Sequence, residues 1–262
     1  MGKKWLPVLI SFALCLSLVN IIIGLFLNPF SWAEQTWLLT SLTGFLILSS
    51  VSLLLALRHH ELGLLVSGLM VVTTLRIAGI HDIVPVVCLA GVQLLLLFIA
   101  LLVYLSQHKE VYSIWAGVMT FIRLYLGFNL MAHGSEKLLA GPEPFMQDVS
   151  AFVTLGVPMP EFFVALAGVC EIAGAIAIGL GLLTRLGAIC TALYLFIATY
   201  LGAHFTLGYI WANPGGGWEY PTLWIVFTLV FAVTGAGKLS IDYLAHQRWH
   251  LPQWYHKLAG LR

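Results

Sequence analysis

Residues 161–182 read EFFVALAGVCEIAGAIAIGLGL, twenty-two residues whose interior holds one charged side chain, Glu171. An apolar run of this length crosses a ~30 Å hydrocarbon layer as a helix. A charge near its middle costs at least a few kcal/mol unless it is paired or faces a wet cavity. The stretch therefore sets the fold class, a membrane-spanning helix, and marks a residue to be explained.

Seven further segments of similar character surround it: 6–27, 36–57, 62–80, 83–106, 112–133, 184–204 and 220–235. Mean hydropathy is +0.97, with 60% hydrophobic and only 9% charged residues. The chain reads as an all-α integral membrane protein of about eight transmembrane helices. Lys3 and Lys4 precede the first apolar run, and Ser31-Trp32-Ala33 loosely fits a cleavage site. The run is longer than a usual signal core, so an uncleaved first helix is expected.

The basic residues set an orientation. With the amino terminus inside, Lys3, Lys4, Arg58, Lys109, Arg185, Lys238, Arg248, Lys257 and Arg262 fall on the inner face, and Lys137 alone on the outer one. Arg76 and Arg123 lie within spans, which accounts for all 12. The outer loops hold Glu34, Asp82, Glu136, Glu143, Asp148, Glu161 and Glu219. Both termini are expected in the cytoplasm. Trp32, Trp37, Trp211, Trp218 and Trp224 on one side, with Trp5, Trp115, Trp249 and Trp254 on the other, fit aromatic belts. A net charge of +1 gives no support for a nucleic-acid partner.

Cys15, Cys88, Cys170 and Cys190 stand singly in four spans, with no Cys-x-x-Cys pair. A thiol–disulfide relay needs paired, accessible cysteines, so these read as buried structural thiols. No metal-ligand set is assigned.

The chain divides into an amino-terminal module, 1–110, a second module, 111–245, and a cytoplasmic tail, 246–262. The first has short connections, with Arg76 buried and His81 and Asp82 just beyond it. The second has two longer outer loops. In one, Phe145, Val149, Phe152 and Val153 predict one face of a short interfacial helix. In the other, Asn213-Pro214-Gly215-Gly216-Gly217 predicts a flexible turn, either a connector or a moving lid.

Arg123 lies about eleven residues from the inner end of its span and Glu171 about ten from the outer end of the next, each roughly 15–16 Å deep at ~1.5 Å per residue. The helices are antiparallel neighbours, so an Arg123–Glu171 ion pair is expected. Above it come His133 and Lys137, four apart on one helical face, with His204 and Glu219 at the same outer level. Such a column suits either helix packing or a polar pocket open to the outside. A quinol head group fits the second reading, because histidine and a buried carboxylate both handle protons near neutral pH. A bis-histidine haem between His133 and His204 is conceivable, but without a Cys-x-x-Cys-His motif haem is not expected.

Several short patterns follow one another in order: Arg123, Gly127, Gly134, Lys137 and Leu138; Gly156-Val157-Pro158; Glu171, Gly174, Gly179, Gly181, Thr184 and Arg185; Gly215-Gly216-Gly217-Trp218-Glu219; and Gly235-Ala236-Gly237-Lys238-Leu239-Ser240-Ile241-Asp242. Together they resemble the DoxX/DoxD family of four-helix membrane proteins, over about residues 115–245. The resemblance implies a DoxX-like four-helix bundle in the second half of the chain. It also implies a multi-pass protein of the bacterial or archaeal cytoplasmic (inner) membrane. Some members form the membrane subunit of thiosulfate:quinone oxidoreductase, while others associate with redox or detoxification systems. Arg123, Lys137, Glu171 and Glu219 occupy patterned positions of the family, and His133 and His204 transfer more weakly. The four-span amino-terminal extension departs from the pattern.

Three readings follow. The leading one is a quinone-linked redox protein, with quinone as exchangeable substrate and thiosulfate or another small reductant oxidised at the outer face. Glu171, His133 and Arg123 would carry the chemistry, and Lys137, His204 and Glu219 would hold the substrate. The second is a non-catalytic subunit or scaffold for a partner redox enzyme. The third is a small-molecule carrier. Membrane lipid is a partner in all three.

Overall fold

A computed structural model describes residues 5–26 and 36–261. Lys3, Lys4, Trp32, Glu34, Arg262 and the Ser31-Trp32-Ala33 site lie outside them. The described residues form helices and no strands. In order they are α1 (Trp5–Phe26), α2 (Thr36–Arg58), α3 (His60–Ile80), α4 (Val84–Gln107), α5 (Ile114–Leu138), α6 (Pro142–Thr154), α7 (Pro160–Gly174), α8 (Thr184–Leu201), α9 (Glu219–Thr234), α10 (Ile241–Arg248) and α11 (Gln253–Ala259). A π-helix, Ala175–Gly181, continues α7 to the end of its span. Among the described residues, seven helices are long and apolar enough to cross a membrane. The eighth expected span is α9, apolar but only 16 residues long.

The chain folds as two compact units. The first holds residues 1–118 and 131–144, the second 119–130 and 145–262, so α5 contributes to both. In the first, α1 packs on α2 and α4, and α3 packs on the same two. The α2–α3 turn is tight because Gly63 lies against Ala56, where an added Cβ would fall 2.2 Å from the alanine Cα. Small polar groups buried between these helices find each other, as lipid requires. Ser17 and Ser50 are 2.8 Å apart, and Gln93 donates to Ser49.

At one end of this unit Glu61 accepts from Tyr104 at 2.6 Å and from Tyr112. At the other end the α5 terminus is received. Arg76 pairs with Glu136, His81 Nε2 donates to the Ala140 carbonyl at 2.6 Å, and Ser41 donates to that of Leu139 at 2.8 Å. Those bonds satisfy carbonyls that a helix end leaves without intrahelical partners.

The second unit is organised by contacts between small residues. A Cβ on Gly127 of α5 would fall 2.4 Å from the Cα of Gly179, so the two backbones touch there. Gly174 lies against Thr191, and Gly187 against Ala177, along the α7–α8 seam. Where apolar burial gives helices no advantage over lipid, such close backbone approach is what holds them together.

Several sequence expectations change. Arg76, expected to be buried, has its side chain 39% exposed, because it reaches Glu136 near the end of α5. In α6, Val149 is buried, but Val153 is 61% exposed, turned away from the face that Phe145, Val149 and Phe152 share. The cysteines are not buried: Cys15, Cys88 and Cys190 are exposed and Cys170 is intermediate, all as free thiols. A thiol behaves as a small apolar group, so a lipid-facing position costs it little.

Candidate functional site

Glu171 lies one turn before the π-helix begins. It is 7% exposed and accepts a hydrogen bond from the Tyr194 hydroxyl of α8 at 2.7 Å. Asp148 of α6 is near enough for its charge to act on the same phenol. Beside this pair runs an apolar groove of about 440 Å³ between α7 and α8. Tyr194, Cys170, Cys190 and Thr191 line it, and Gly174 and Gly187 leave it open by lacking side chains. Its far end is walled by the π-helix; π-bulges in helices recur at functional sites.

Arg123 does not meet Glu171. The cause is the Gly127–Gly179 crossing. Arg123 lies four residues to one side of it and Glu171 eight to the other, roughly 18 Å apart along the axes at about 1.5 Å per residue. Arg123 instead sits level with the α7–α8 turn, fully buried, and its Nη2 donates to the Leu239 carbonyl. Gly181 has φ +73°, and a Cβ there would stand 2.1 Å from Arg123 Nη1. Nε and Nη1 find no acceptor among the described residues. The charge facing this guanidinium is Asp242.

Asp242 is the residue that sequence reasoning passed over. It is fully buried and accepts from Leu183 N (2.8 Å), Thr184 N (3.0 Å), Thr184 Oγ1 (2.7 Å) and Tyr255 Oη (2.8 Å). The carboxylate thus caps the amino terminus of α8, where backbone N–H groups are unpaired and the helix dipole favours negative charge. Burial, then the Asp242 carboxylate, push the Tyr255 phenol above its ordinary value. Arg185 closes the same end by donating to Ala232 O at 2.9 Å, with longer bonds to Val233 O and Lys257 O. The Gly235–Asp242 pattern was legible, but its aspartate was read as a family mark rather than as a helix cap.

Tyr194 left a clearer signal. Glu171 stands twelve residues before Leu183 and Tyr194 eleven after it, so a hairpin turning there brings them level.

The remaining expected residues are divided between the units. His204 donates through Nδ1 to Gly216 O at 2.9 Å and stacks on Trp211, ring centres 5.6 Å apart. Glu219 accepts from Trp211 N at 3.1 Å. Both belong to the second unit. His133, exposed, and Lys137, which donates to the His133 carbonyl at 3.5 Å, belong to the first. The glycine-rich turn is tied rather than loose. Trp218 N and Glu219 N donate to Gly208 O and Tyr209 O. A Cβ on Gly217 would meet three carbonyl oxygens at 2.5 Å. From that loop a file of rings leads inward, Trp211, Tyr220, Trp224 and Tyr125, with successive centres 5.7–6.4 Å apart.

An uncharacterized protein of Haemophilus influenzae is 28% identical over 124 residues, which make up 47% of this chain and 87% of that protein. No solved structure matches. The DoxX family model matches residues 118–204, which include Arg123, His133, Lys137, Glu171 and Tyr194 and end at His204, short of Glu219 and Asp242. Over residues 118–204 this helical membrane protein is therefore similar to the DoxX family.

Proposed function

We propose that the protein is a quinone-linked redox protein of a bacterial or archaeal cytoplasmic membrane, with the quinone head at Glu171 and Tyr194. One observation carries this reading: an apolar groove lined by half-buried Tyr194, whose hydroxyl donates to the buried Glu171. Its volume of about 440 Å³ is within the usual range of small-molecule sites. The lining matches the chemistry of an isoprenoid tail, and the pair matches that of a carbonyl or hydroxyl head. A bound quinone supplies acceptance of two electrons and two protons. Tyr194 can turn its hydroxyl from Glu171 to the head, and Glu171 can hold or release a proton beside it. The resemblance to the thiosulfate:quinone oxidoreductase membrane subunit makes thiosulfate or another small reductant the donor on this reading.

Tyr194→Phe and Glu171→Gln are expected to weaken binding of a short-chain quinone to the purified protein about tenfold or more, the worth of a hydrogen bond involving a charged group. Equilibrium titration in detergent is the measurement. Unchanged affinity in both variants, with normal helicity, rules the site out.

A second reading, a non-catalytic membrane subunit for a partner redox enzyme, draws on the Arg123, Asp242 and Arg185 contacts, which all close the fold. A partner that co-purifies, together with no quinone binding, would favour it.

The basic-residue bias supports an orientation with both termini cytoplasmic. Single cysteines introduced at Glu143 and Gly216 are then expected to react with an impermeant reagent from outside intact cells. Labelling of both only after lysis reverses the orientation.

A further inference from the structure

We propose that residues 238–257 form a rigid docking surface for the head groups of anionic phospholipid, independent of the quinone reading. The segment is clamped at the end of the second unit where α8 begins and α9 finishes. Ser240 caps α10 by accepting from Tyr243 N at 3.2 Å, and Asp242 accepts from Tyr255 of α11. Arg185 reaches the Lys257 carbonyl. Gly235 and Gly260 touch, since a Cβ on Gly235 would fall 2.7 Å from Gly260 O. The rings of His246 and His256 meet edge to face with centres 5.0 Å apart.

This clamp sorts the side chains by charge. The one carboxylate between residues 236 and 261, Asp242, is fully buried, its oxygens taken up by four donors. What faces outward is cationic or amphipathic: Lys238, Arg248 and Lys257 are exposed, and Trp249 and Trp254 are 65% and 59% exposed. A surface without an accessible acid is complementary to phosphate. Exposed indoles in the segment that follows the last apolar helix, Trp249 after α10 and Trp254 in α11, favour a membrane surface over an acidic soluble protein, because indole partitions to the lipid–water boundary. Holding the segment in place beforehand lowers the ordering cost of binding.

The test uses the full chain in detergent, with native mass spectrometry reading the affinities for phosphatidylglycerol and phosphatidylcholine. The wild type is expected to prefer phosphatidylglycerol. Arg248→Gln/Lys257→Gln is expected to reduce that preference at least about tenfold, since each cation near an anionic surface contributes roughly a fivefold factor. Arg248→Lys/Lys257→Arg keeps the charges and is expected to keep the preference. The proposal fails if the wild type shows no preference, if the neutral variant retains it, or if the charge-conserving variant loses it.

Discussion

Asp242→Ala is expected to cost the second unit about 3–5 kcal/mol, the penalty for removing one partner of a buried charge arrangement. Two losses combine. Leu183 N, Thr184 N, Thr184 Oγ1 and Tyr255 Oη each lose their acceptor, and an unmet buried donor costs roughly 1–3 kcal/mol. Arg123, fully buried, also loses the charge that faces it. Asp242→Asn keeps the shape and one acceptor oxygen, so it is expected to cost less than alanine. Arg123→Gln combined with Asp242→Asn is expected to destabilise by less than the sum of the two, by roughly 0.5–3 kcal/mol. Chemical denaturation of the purified protein, followed by circular dichroism, gives all four values. Strict additivity would mean that Asp242 acts as a helix cap alone and that its charge does nothing for Arg123.

The apolar runs and their order were legible because composition and length decide them locally. Which polar groups meet was less legible. Depth along a span sets partners only when the helices cross at the same level. Here α5 begins about two and a half turns below Arg123, and its crossing with the α7 span is fixed by Gly127 and Gly179. The pairing is thus set by two residues with no polar chemistry of their own. Tyr194 was recoverable by counting from the turn, whereas Asp242 required knowing that the chain after α9 folds back onto the start of α8. The cysteines were misjudged for a different reason: in lipid an outward position is as apolar as an inward one, so hydropathy carries no facing information.

Gly127→Val is the complementary test, because it disturbs the crossing while leaving every hydrogen-bonding group in place. The Cβ alone would stand 2.4 Å from Gly179 Cα, 2.8 Å from Gly179 N and 3.2 Å from Ala175 O. All three are backbone atoms, so no side chain can swing aside and the helices must separate. Overpacking usually costs about 1–3 kcal/mol, and loss of the close approach that drives association in lipid adds to it. The effect on Arg123 follows from geometry. Its guanidinium reaches Gly181 and Leu239 only because α5 lies against the π-helix, so separation withdraws it from Asp242 as well. Gly127→Val is therefore expected to destabilise by about 3 kcal/mol or more and to remove the coupling between Arg123→Gln and Asp242→Asn. Glu171 and Tyr194 belong to the α7–α8 seam rather than to this crossing. A Gly127→Val protein that remains folded under mild conditions should keep the quinone affinity proposed for that pair. A variant as stable as wild type would mean that the two backbones do not touch at Gly127.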